Sequence, residues 1–149
     1  MTEPVSRELC VAGLSATTSE MVIRELAARL FARGHVTEMY EKAALAREKA
    51  SPTGLPFPDV GIAIPHAEPM HVVSPALAIA TLAHGVKFRQ MGSPGIVLDV
   101  RIVVMPALSA KEQAAAGLSA LIERLQNGDL RARLLAATTA DHVAAALGA

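Results

Sequence analysis

ALAIATLA, at residues 76–83, and IVLDVRIVVM, at residues 96–105, are near-continuous apolar runs rich in Ile, Val and Leu. Runs of this length and composition are typical of β-strands that are covered on both faces. A shorter apolar segment, VGIAI at residues 60–64, stops at Pro65 and predicts another strand. Residues 8–14, ELCVAGL, predict a short strand near the start of the sequence. Together these segments predict a β-sheet that is buried between other elements.

Helical periodicity fills most of the remaining chain. The predicted helices span about residues 18–33, 37–50, 109–126, 129–137 and 139–147. Thr37 is the predicted N-cap of the second helix, and Ser109 followed by Glu112 predicts a capping box for the third. Residues 51–58 contain three prolines and a glycine, which predict a stiff loop without regular structure. Strands alternating with helices predict an α/β layer structure, and no linker divides residues 1–149 into two domains.

Composition excludes several classes of protein. Fourteen Lys and Arg balance fourteen Asp and Glu in 149 residues, and aromatic residues make up 3% with no Trp. A nucleic-acid-binding protein usually has a basic surplus or aromatic side chains that stack on bases, so we expect no nucleic-acid partner. The only cysteine, Cys10, cannot form a disulfide within the chain, which suits a reducing compartment. A net charge of zero leaves the oligomeric state open.

The sequence predicts a cytoplasmic protein without membrane insertion. Glu3 and Glu8 lie in an N-terminal segment that lacks the basic and long apolar regions of a signal peptide. Residues 69–86 are uncharged over a length that raises the question of a membrane span. Because Pro69 and Pro75 would break a membrane-crossing helix, buried strand and turns are the better interpretation.

Histidine supplies the candidate reactive groups. His35 follows the end of a predicted helix and His142 lies on the last one, and both positions are typical of surface side chains. His66 differs because it follows Pro65 at the end of a predicted strand. Ligands and reactive groups collect at strand ends in open α/β sheets, so His66 is either a functional histidine or a structural one with satisfied hydrogen bonds.

A metal site fits the histidine spacing poorly. His66, Glu68 and His71 are close in sequence, but Pro65 and Pro69 exclude the helix that would align two ligands one turn apart. The sequence also lacks the Gly-x-Ser-x-Gly turn of many hydrolases and the phosphate-binding loop of nucleotide-binding proteins. We therefore expect no metal and no cofactor.

A histidine that carries a phosphoryl group suits His66 better. Neutral imidazole is a good nucleophile near pH 7. Such a site needs one ring nitrogen free to attack, the other held by an acceptor, and donors for the phosphate oxygens. The candidate donors are the Arg47 guanidinium, the hydroxyls of Ser51 and Thr53, and backbone N–H groups around Gly61. Arg47 has a second interpretation, as a cation that complements the dipole at the end of its helix.

Five segments carry a family resemblance. AREKASPTGLP, at residues 46–56, and GIAIPHAEP, at residues 61–69, resemble the IIA component of the bacterial phosphoenolpyruvate-dependent sugar phosphotransferase system, fructose/mannitol type. HV at residues 71–72, KFRQMG at residues 87–92 and VLDVRIVVM at residues 97–105 are similar to its galactitol-like branch. The similarity covers essentially the whole chain in the same order of elements, so it implies one IIA domain.

The resemblance implies a phosphocarrier, an enzyme component with a phosphohistidine intermediate. His66 would accept a phosphoryl group through Nε2 from the phosphohistidine of the small carrier protein HPr, leaving Nδ1–H to a backbone or side-chain acceptor. It would then pass the group to a cysteine of a IIB component, and the sugar would be phosphorylated during uptake through IIC. Arg47 matches the active-site arginine of the family. The family fold is a mixed β-sheet flanked by helices on both faces, which agrees with the α/β layers predicted above.

One position departs from the mannitol-like pattern. Those members have a second active-site histidine at the start of the helix after the long strand, where this sequence has Gln113. Glutamine donates a hydrogen bond to a phosphate oxygen but carries no charge or proton at neutral pH. A mechanism with two histidines is therefore disfavoured, unless His71 takes the second place instead of being an exposed loop residue.

The implied partners are proteins rather than a sugar, so the sequence does not specify which sugar is taken up. An apolar docking patch around the histidine is expected, and Leu55, Phe57, Met70 and Met91 are candidates by their proximity in sequence. The alternative interpretation of these four residues is that they pack the loop against the protein. The alternative function is a regulatory module in which the phosphorylation state of His66 controls partner binding without sugar transport.

Overall fold

A long antiparallel hairpin forms the centre of a mixed β-sheet. The computed structural model describes residues 5–109 and 111–148, apart from the side chains of residues 111–113 and 148. The strands are β1 (Cys10–Leu14), β2 (Gly54–Pro56), β3 (Gly61–Ala63), β4 (Ala76–Gln90) and β5 (Ser93–Ala107).

The hairpin is formed by β4 and β5, which pair antiparallel along most of their length and are joined at Gly92, whose φ is 77°. β1 runs parallel to β4, and β3 runs parallel to β5. β2 is antiparallel to β3 and meets the far end of β4 where Gly54 lies opposite Gln90. A Cβ atom at position 54 would lie 2.6 Å from the backbone oxygen of Arg89, so the close approach of β2 to β4 requires glycine there.

Helices cover both faces of the sheet. They are α1 (Ser19–Ala32), α2 (Tyr40–Ala50), α3 (Lys111–Leu125), α4 (Gly128–Ala136) and α5 (Ala140–Gly148), with short 3-10 turns at Arg7–Leu9 and Pro69–His71. α1 matches its prediction closely, because the hydroxyl of Thr18 accepts from the N–H of Met21 at 3.2 Å and Gly34, with a φ of 79°, follows its end. No helix within the described ranges has the length and apolar character needed to cross a membrane.

Successive side chains of β4 enter two separate hydrophobic clusters, one on each face of the sheet. Ala78 and Ala80 belong to the cluster that includes the buried residues of α1 and α2. Leu77 and Ile79 belong to the cluster that includes those of α3, α4 and α5. Burial on both faces explains the continuous apolar run of this strand. The predicted mixed sheet with helices on both faces, in a single domain, is confirmed.

The start of α2 corrects one prediction. Met39 is the N-cap and Thr37 is not. The N–H of Thr37 donates to the oxygen of His71 at 2.9 Å, and Val36 bridges to Val72. Because these residues are held in extended pairing with the segment before β4, the helix begins only after them.

The strand boundaries correct two more predictions. The proline-rich residues 51–58 contain β2, in which Pro56 lies opposite Gly61 at a position that needs no N–H from proline. β4 also continues to Gln90, beyond the predicted residues 76–83, and β5 is longer at both ends than residues 96–105. The predicted capping box of Ser109 and Glu112 depends on the side chain of Glu112, which lies outside those described.

Arg131 of α4 ties the loop after β2 to the helical layer. It is 7% exposed, donates to Asp59 Oδ1 and to the oxygen of Leu125, both at 2.8 Å, and its guanidinium lies 4.8 Å from the centre of the Phe57 ring. Removing the Arg131 side chain leaves the buried backbone oxygen of Leu125 without its hydrogen-bond donor.

We expect Arg131→Met to lower the free energy of unfolding by about 2 kcal/mol, because a charged hydrogen bond and a buried acceptor are both lost. Urea unfolding monitored by circular dichroism measures this change. Arg133→Met, at an exposed position of the same helix, is the matched control and should stay within about 0.5 kcal/mol of wild type. Equal effects of the two variants would contradict the structural role given to Arg131.

Candidate functional site

His66 lies where the chain leaves the sheet after β3. Ile64 and Pro65 are buried and fix the course of the chain, while His66 itself is half-buried. Its Nδ1 lies 2.9 Å from the oxygen of Ile64. A carbonyl oxygen only accepts hydrogen bonds, so this contact assigns the proton of the neutral ring to Nδ1 and leaves the lone pair on Nε2. The ring therefore has the tautomer that a nucleophilic Nε2 requires.

Burial lowers the pKa of His66 from its ordinary value of 6.5. The hydrogen bond to Ile64 acts in the opposite direction, the nearby charge of Arg47 lowers the pKa further, and that of Glu68 raises it. The balance favours the neutral imidazole at pH 7, which is the nucleophilic form.

We expect an NMR titration to give His66 a midpoint below 6.5, because the charged ring is penalised in the folded protein. In the unfolded chain the ring takes up its proton nearer pH 6.5, so protonation of His66 opposes folding. The free energy of unfolding should therefore lose a contribution as the pH falls from 6.5 through the folded-state pKa. A midpoint above 6.5 would contradict the assignment of a neutral ring.

Arg47 lies in the last turn of α2 and faces the same space as His66. Its Nη1 donates to Glu68 Oε1 at 2.5 Å. Its Nε is buried and has no hydrogen-bond partner within the part of the chain that the structure describes. The guanidinium is thus held by one carboxylate and keeps donor capacity for another anion.

A cavity of about 240 Å³ brings these groups together. Among the side chains that the structure describes, Arg47, His66 and Glu68 supply its polar lining, and the apolar lining is Ala67, Pro69, Pro106, Leu108, Ala114, Ala115 and Leu118. Ala114, Ala115 and Leu118, in the first half of α3, form one wall of the cavity. A larger cavity of about 640 Å³, between α1, α2 and the hairpin, contains no histidine among its lining residues.

Ser51 and Thr53 lie near the end of α2 but do not line the smaller cavity. Ser51 is exposed, and its N–H donates to the oxygen of Arg47 at 2.6 Å, closing the helix. The hydroxyl of Thr53 donates to Glu48 Oε1 at 2.8 Å and accepts from the N–H of Ile64 at 3.1 Å. Thr53 therefore supports the loop, a role that its spacing from Glu48 gave no reason to predict.

The structure places the predicted site residues Gly61, His71 and Gln113 in three different settings. Gly61 begins β3, at the opposite end of the strand from His66, and a side chain there would meet the backbone oxygen of Asp99. Its close approach to β5 accounts for the glycine. His71 is half-buried in a 3-10 turn outside the cavity lining, and its N–H donates to the oxygen of Glu68 at 3.1 Å. The side chain of Gln113 lies outside those described, and the next residue, Ala114, lines the cavity.

The four apolar residues predicted as a docking patch do not share one surface. Leu55 and Phe57 line a third cavity with Ile122 of α3. Met91 lies in the hairpin turn, where its N–H donates to the oxygen of Gly54 at 2.8 Å. Met70 is 80% exposed and follows Pro69 at the rim of the His66 cavity. Only Met70 of these four is placed beside the site.

The other reactive side chains lie apart from this cavity. His35 is half-buried, with Nδ1 3.0 Å from the hydroxyl of Ser74, whereas His84 and His142 are exposed. Burial raises the pKa of Cys10 to about 11, so its thiol stays protonated at neutral pH. Within the described residues, no three His, Cys, Asp or Glu side chains lie close enough together to hold a metal ion.

Known proteins resemble this chain in sequence and fold. Residues 3–148 match a family model described as "Phosphoenolpyruvate-dependent sugar phosphotransferase system, EIIA 2". The 2-O-alpha-mannosyl-D-glycerate-specific EIIABC component of Escherichia coli (strain K12) is 33% identical over 133 residues, which are 88% of this chain and 20% of that protein. The chain thus spans about a fifth of that relative's length.

Two further comparisons cover most of both proteins. The galactitol-specific EIIA component of Escherichia coli (strain K12) is 29% identical over 118 residues, which are 79% of this chain and 78% of that protein. A solved complex of enzyme IIAMTL and phosphorylated enzyme IIBMTL from Escherichia coli matches with a TM-score of 0.79 and 25% identity over 97% of each chain.

Proposed function

The chain belongs to the EIIA 2 family of the phosphoenolpyruvate-dependent sugar phosphotransferase system, and we propose that, as a phosphocarrier of that system, it takes a phosphoryl group from phospho-HPr on His66. It then passes the group to a cysteine of a IIB component, which serves sugar uptake and phosphorylation through IIC. The observation that carries this proposal is the 2.9 Å contact between His66 Nδ1 and the oxygen of Ile64, which supports a free Nε2.

The transfer needs no separate proton acceptor. The Nε2 lone pair of His66 attacks phosphorus while the bond from phosphorus to the donor nitrogen breaks and its electron pair returns to the donor ring. His66 then carries the phosphoryl group on Nε2 and the proton on Nδ1, so its ring is positively charged. The Ile64 oxygen accepts from that charged ring, and charged donors make the stronger hydrogen bonds. Attack by the IIB cysteine as thiolate forms the phosphorus–sulfur bond and returns His66 to its neutral state.

Arg47 is the proposed phosphate-binding residue. A phosphoryl group on Nε2 would bring negative oxygens into a cavity whose lining already includes the guanidinium. Arg47 would exchange part of its contact with Glu68 for the phosphate, since its buried Nε has a donor to offer. Gln113 is a proposed further donor because its helix forms a wall of the cavity. Ser51, Gly61 and His71 fit support of the loop better than contact with phosphate.

Two observations support protein partners at this face. In the similar solved complex, a IIA enzyme is bound to a phosphorylated IIB enzyme. In this chain, Met70 follows the cavity-lining residue Pro69 and is 80% exposed, so it offers apolar surface for a partner. A modest apolar contact suits partners that must separate after each transfer.

The direct test is phosphoryl acceptance in vitro. The protein is incubated with phosphoenolpyruvate, enzyme I and HPr, and its intact mass is measured before and after mild acid. We expect a gain of one phosphoryl group that acid removes, as an N-phosphoryl bond requires. No gain, while the same partners phosphorylate a control IIA protein, would overturn the proposal. Gain without transfer to any IIB component would favour the regulatory module instead.

A further inference from the structure

The hydrogen bonds that orient His66 continue beyond the oxygen of Ile64. We propose that Glu48 and Thr53 are positioning residues that act through the Ile64 backbone to hold the His66 proton on Nδ1. The inference rests on the proposed function for its consequence, because a phosphoryl acceptor at Nε2 is what needs this tautomer. Neither residue lines the His66 cavity, so both act on the ring indirectly.

Glu48 holds Thr53 by two hydrogen bonds. Its Oε1 accepts from the Thr53 hydroxyl at 2.8 Å, and its Oε2 accepts from the Thr53 N–H at 3.0 Å. Because both donors belong to one residue, the carboxylate fixes the side-chain rotamer and the backbone of Thr53 together. Thr53 is 2% exposed, so water does not compete for these contacts.

The direction of the hydrogen bonds follows from the chemistry of the groups. An ionised carboxylate only accepts, so the hydroxyl proton of Thr53 points to Glu48. The lone pairs of the hydroxyl oxygen are then left for the N–H of Ile64, which lies at 3.1 Å. A hydroxyl that donates to a charged acceptor is also a better acceptor itself, so the two bonds strengthen each other.

Ile64 connects this pair to the imidazole. It is the first residue beyond β3, and it is fully buried. Its N–H is satisfied by Thr53, and its oxygen accepts from His66 Nδ1 at 2.9 Å. Loss of the Thr53 hydroxyl would leave a buried N–H without an acceptor, and relief of that cost requires the Ile64 backbone to turn. The oxygen that holds the imidazole proton would turn with it.

The two polar residues at the end of α2 therefore have separate tasks. Successive residues of an α-helix point about 100° apart. Arg47 accordingly reaches the His66 cavity, whereas its neighbour Glu48 reaches the loop that carries Thr53. The Arg-Glu pair thus places one group toward the phosphate and the other behind the histidine.

The test compares Thr53→Val with Thr53→Ser, which restores the hydroxyl. ¹⁵N NMR of the imidazole, at a pH where His66 is neutral, measures the share of the Nδ1–H tautomer without any phosphoryl transfer. We expect Thr53→Val to lower that share and to slow phosphoryl acceptance from phospho-HPr about ten-fold, the effect of one lost buried hydrogen bond. Thr53→Ser should keep both close to wild type.

Glu48→Gln provides a second variant if Thr53→Val does not fold. The glutamine oxygen still accepts from the Thr53 hydroxyl, but its NH₂ group cannot accept from the Thr53 N–H. A smaller shift of the tautomer in the same direction is expected.

An unchanged Nδ1–H share in the folded variants would overturn the inference, even with a slower transfer, because the residues would then only stabilise the loop. The proposed function fails separately, if wild type accepts no phosphoryl group while Thr53→Val still changes the tautomer.

Discussion

His66→Ala is expected to gain no phosphoryl group from phosphoenolpyruvate, enzyme I and HPr under conditions where wild type gains one. Among the side chains that the structure describes, the polar lining apart from His66 is a guanidinium, which is not a nucleophile, and a carboxylate that is held in an ion pair with it. Intact mass spectrometry measures the loss directly. The variant should stay folded, because the half-buried ring makes one hydrogen bond to the chain's own backbone.

His71→Ala is the matched control for this loss. His71 lies five residues further along the chain but outside the lining of the cavity. We expect this variant to accept the phosphoryl group at the wild-type rate. If His66→Ala accepted the phosphoryl group and His71→Ala did not, His71 would be the phosphoryl carrier. The hydrogen bond between His66 and the Ile64 oxygen would then have no role in the transfer.

Arg47→Ala is expected to slow phosphoryl acceptance about 100-fold, the usual effect of removing one charge-stabilising donor from a transfer site. The rate is measured by quenched flow with phospho-HPr as donor. Arg47→Lys should recover part of the loss, because lysine restores the charge but not the planar set of donors.

Lys49→Ala separates this effect from a general loss of positive charge. Lys49 is exposed on the same last turn of α2 and does not line the His66 cavity. Its removal should change the rate less than three-fold if the guanidinium acts locally, as a weakened surface charge does. An equal loss in both variants would indicate that the basic end of α2 steers HPr rather than stabilising the transferred group.

The fold was largely predictable because strands that are buried on both faces of the sheet have continuous apolar sequences. The core of β4 reads as a continuous apolar run, and this run predicts a covered strand. Its second half was missed because only one face is buried there: Val86 and Phe88 are buried while Lys87 and Arg89 are exposed. That alternation is itself a strand pattern, with a period of two.

Contacts between distant segments explain the boundaries that local patterns predicted wrongly. Thr37 has the residue type of an N-cap, yet its N–H is bonded to His71, far away in sequence. Prolines make residues 51–58 resemble a loop, yet β2 forms there because β3 offers it an antiparallel partner. Local propensity contains no information about either partner.

The candidate site was predictable only in part. The placement of His66 after Pro65 and the family resemblance predict the histidine and Arg47 as site residues, and the structure brings both into one cavity. The roles of Glu48 and Thr53 could not be predicted, since they depend on a loop that folds back to bond with Ile64. The contribution of α3 to the cavity wall could not be predicted either, because local sequence patterns do not indicate how that helix packs against the sheet.

The acceptor of the His66 proton is a main-chain atom, and this has a consequence for how such proteins diverge. No single codon change can delete the carbonyl of Ile64, whatever side chain replaces isoleucine. Inherited variation can alter the ring's orientation only through the shape of the loop or the groups that hold it. An apolar residue that fits the same buried space is therefore expected to keep this acceptor, provided that the path of the backbone is unchanged.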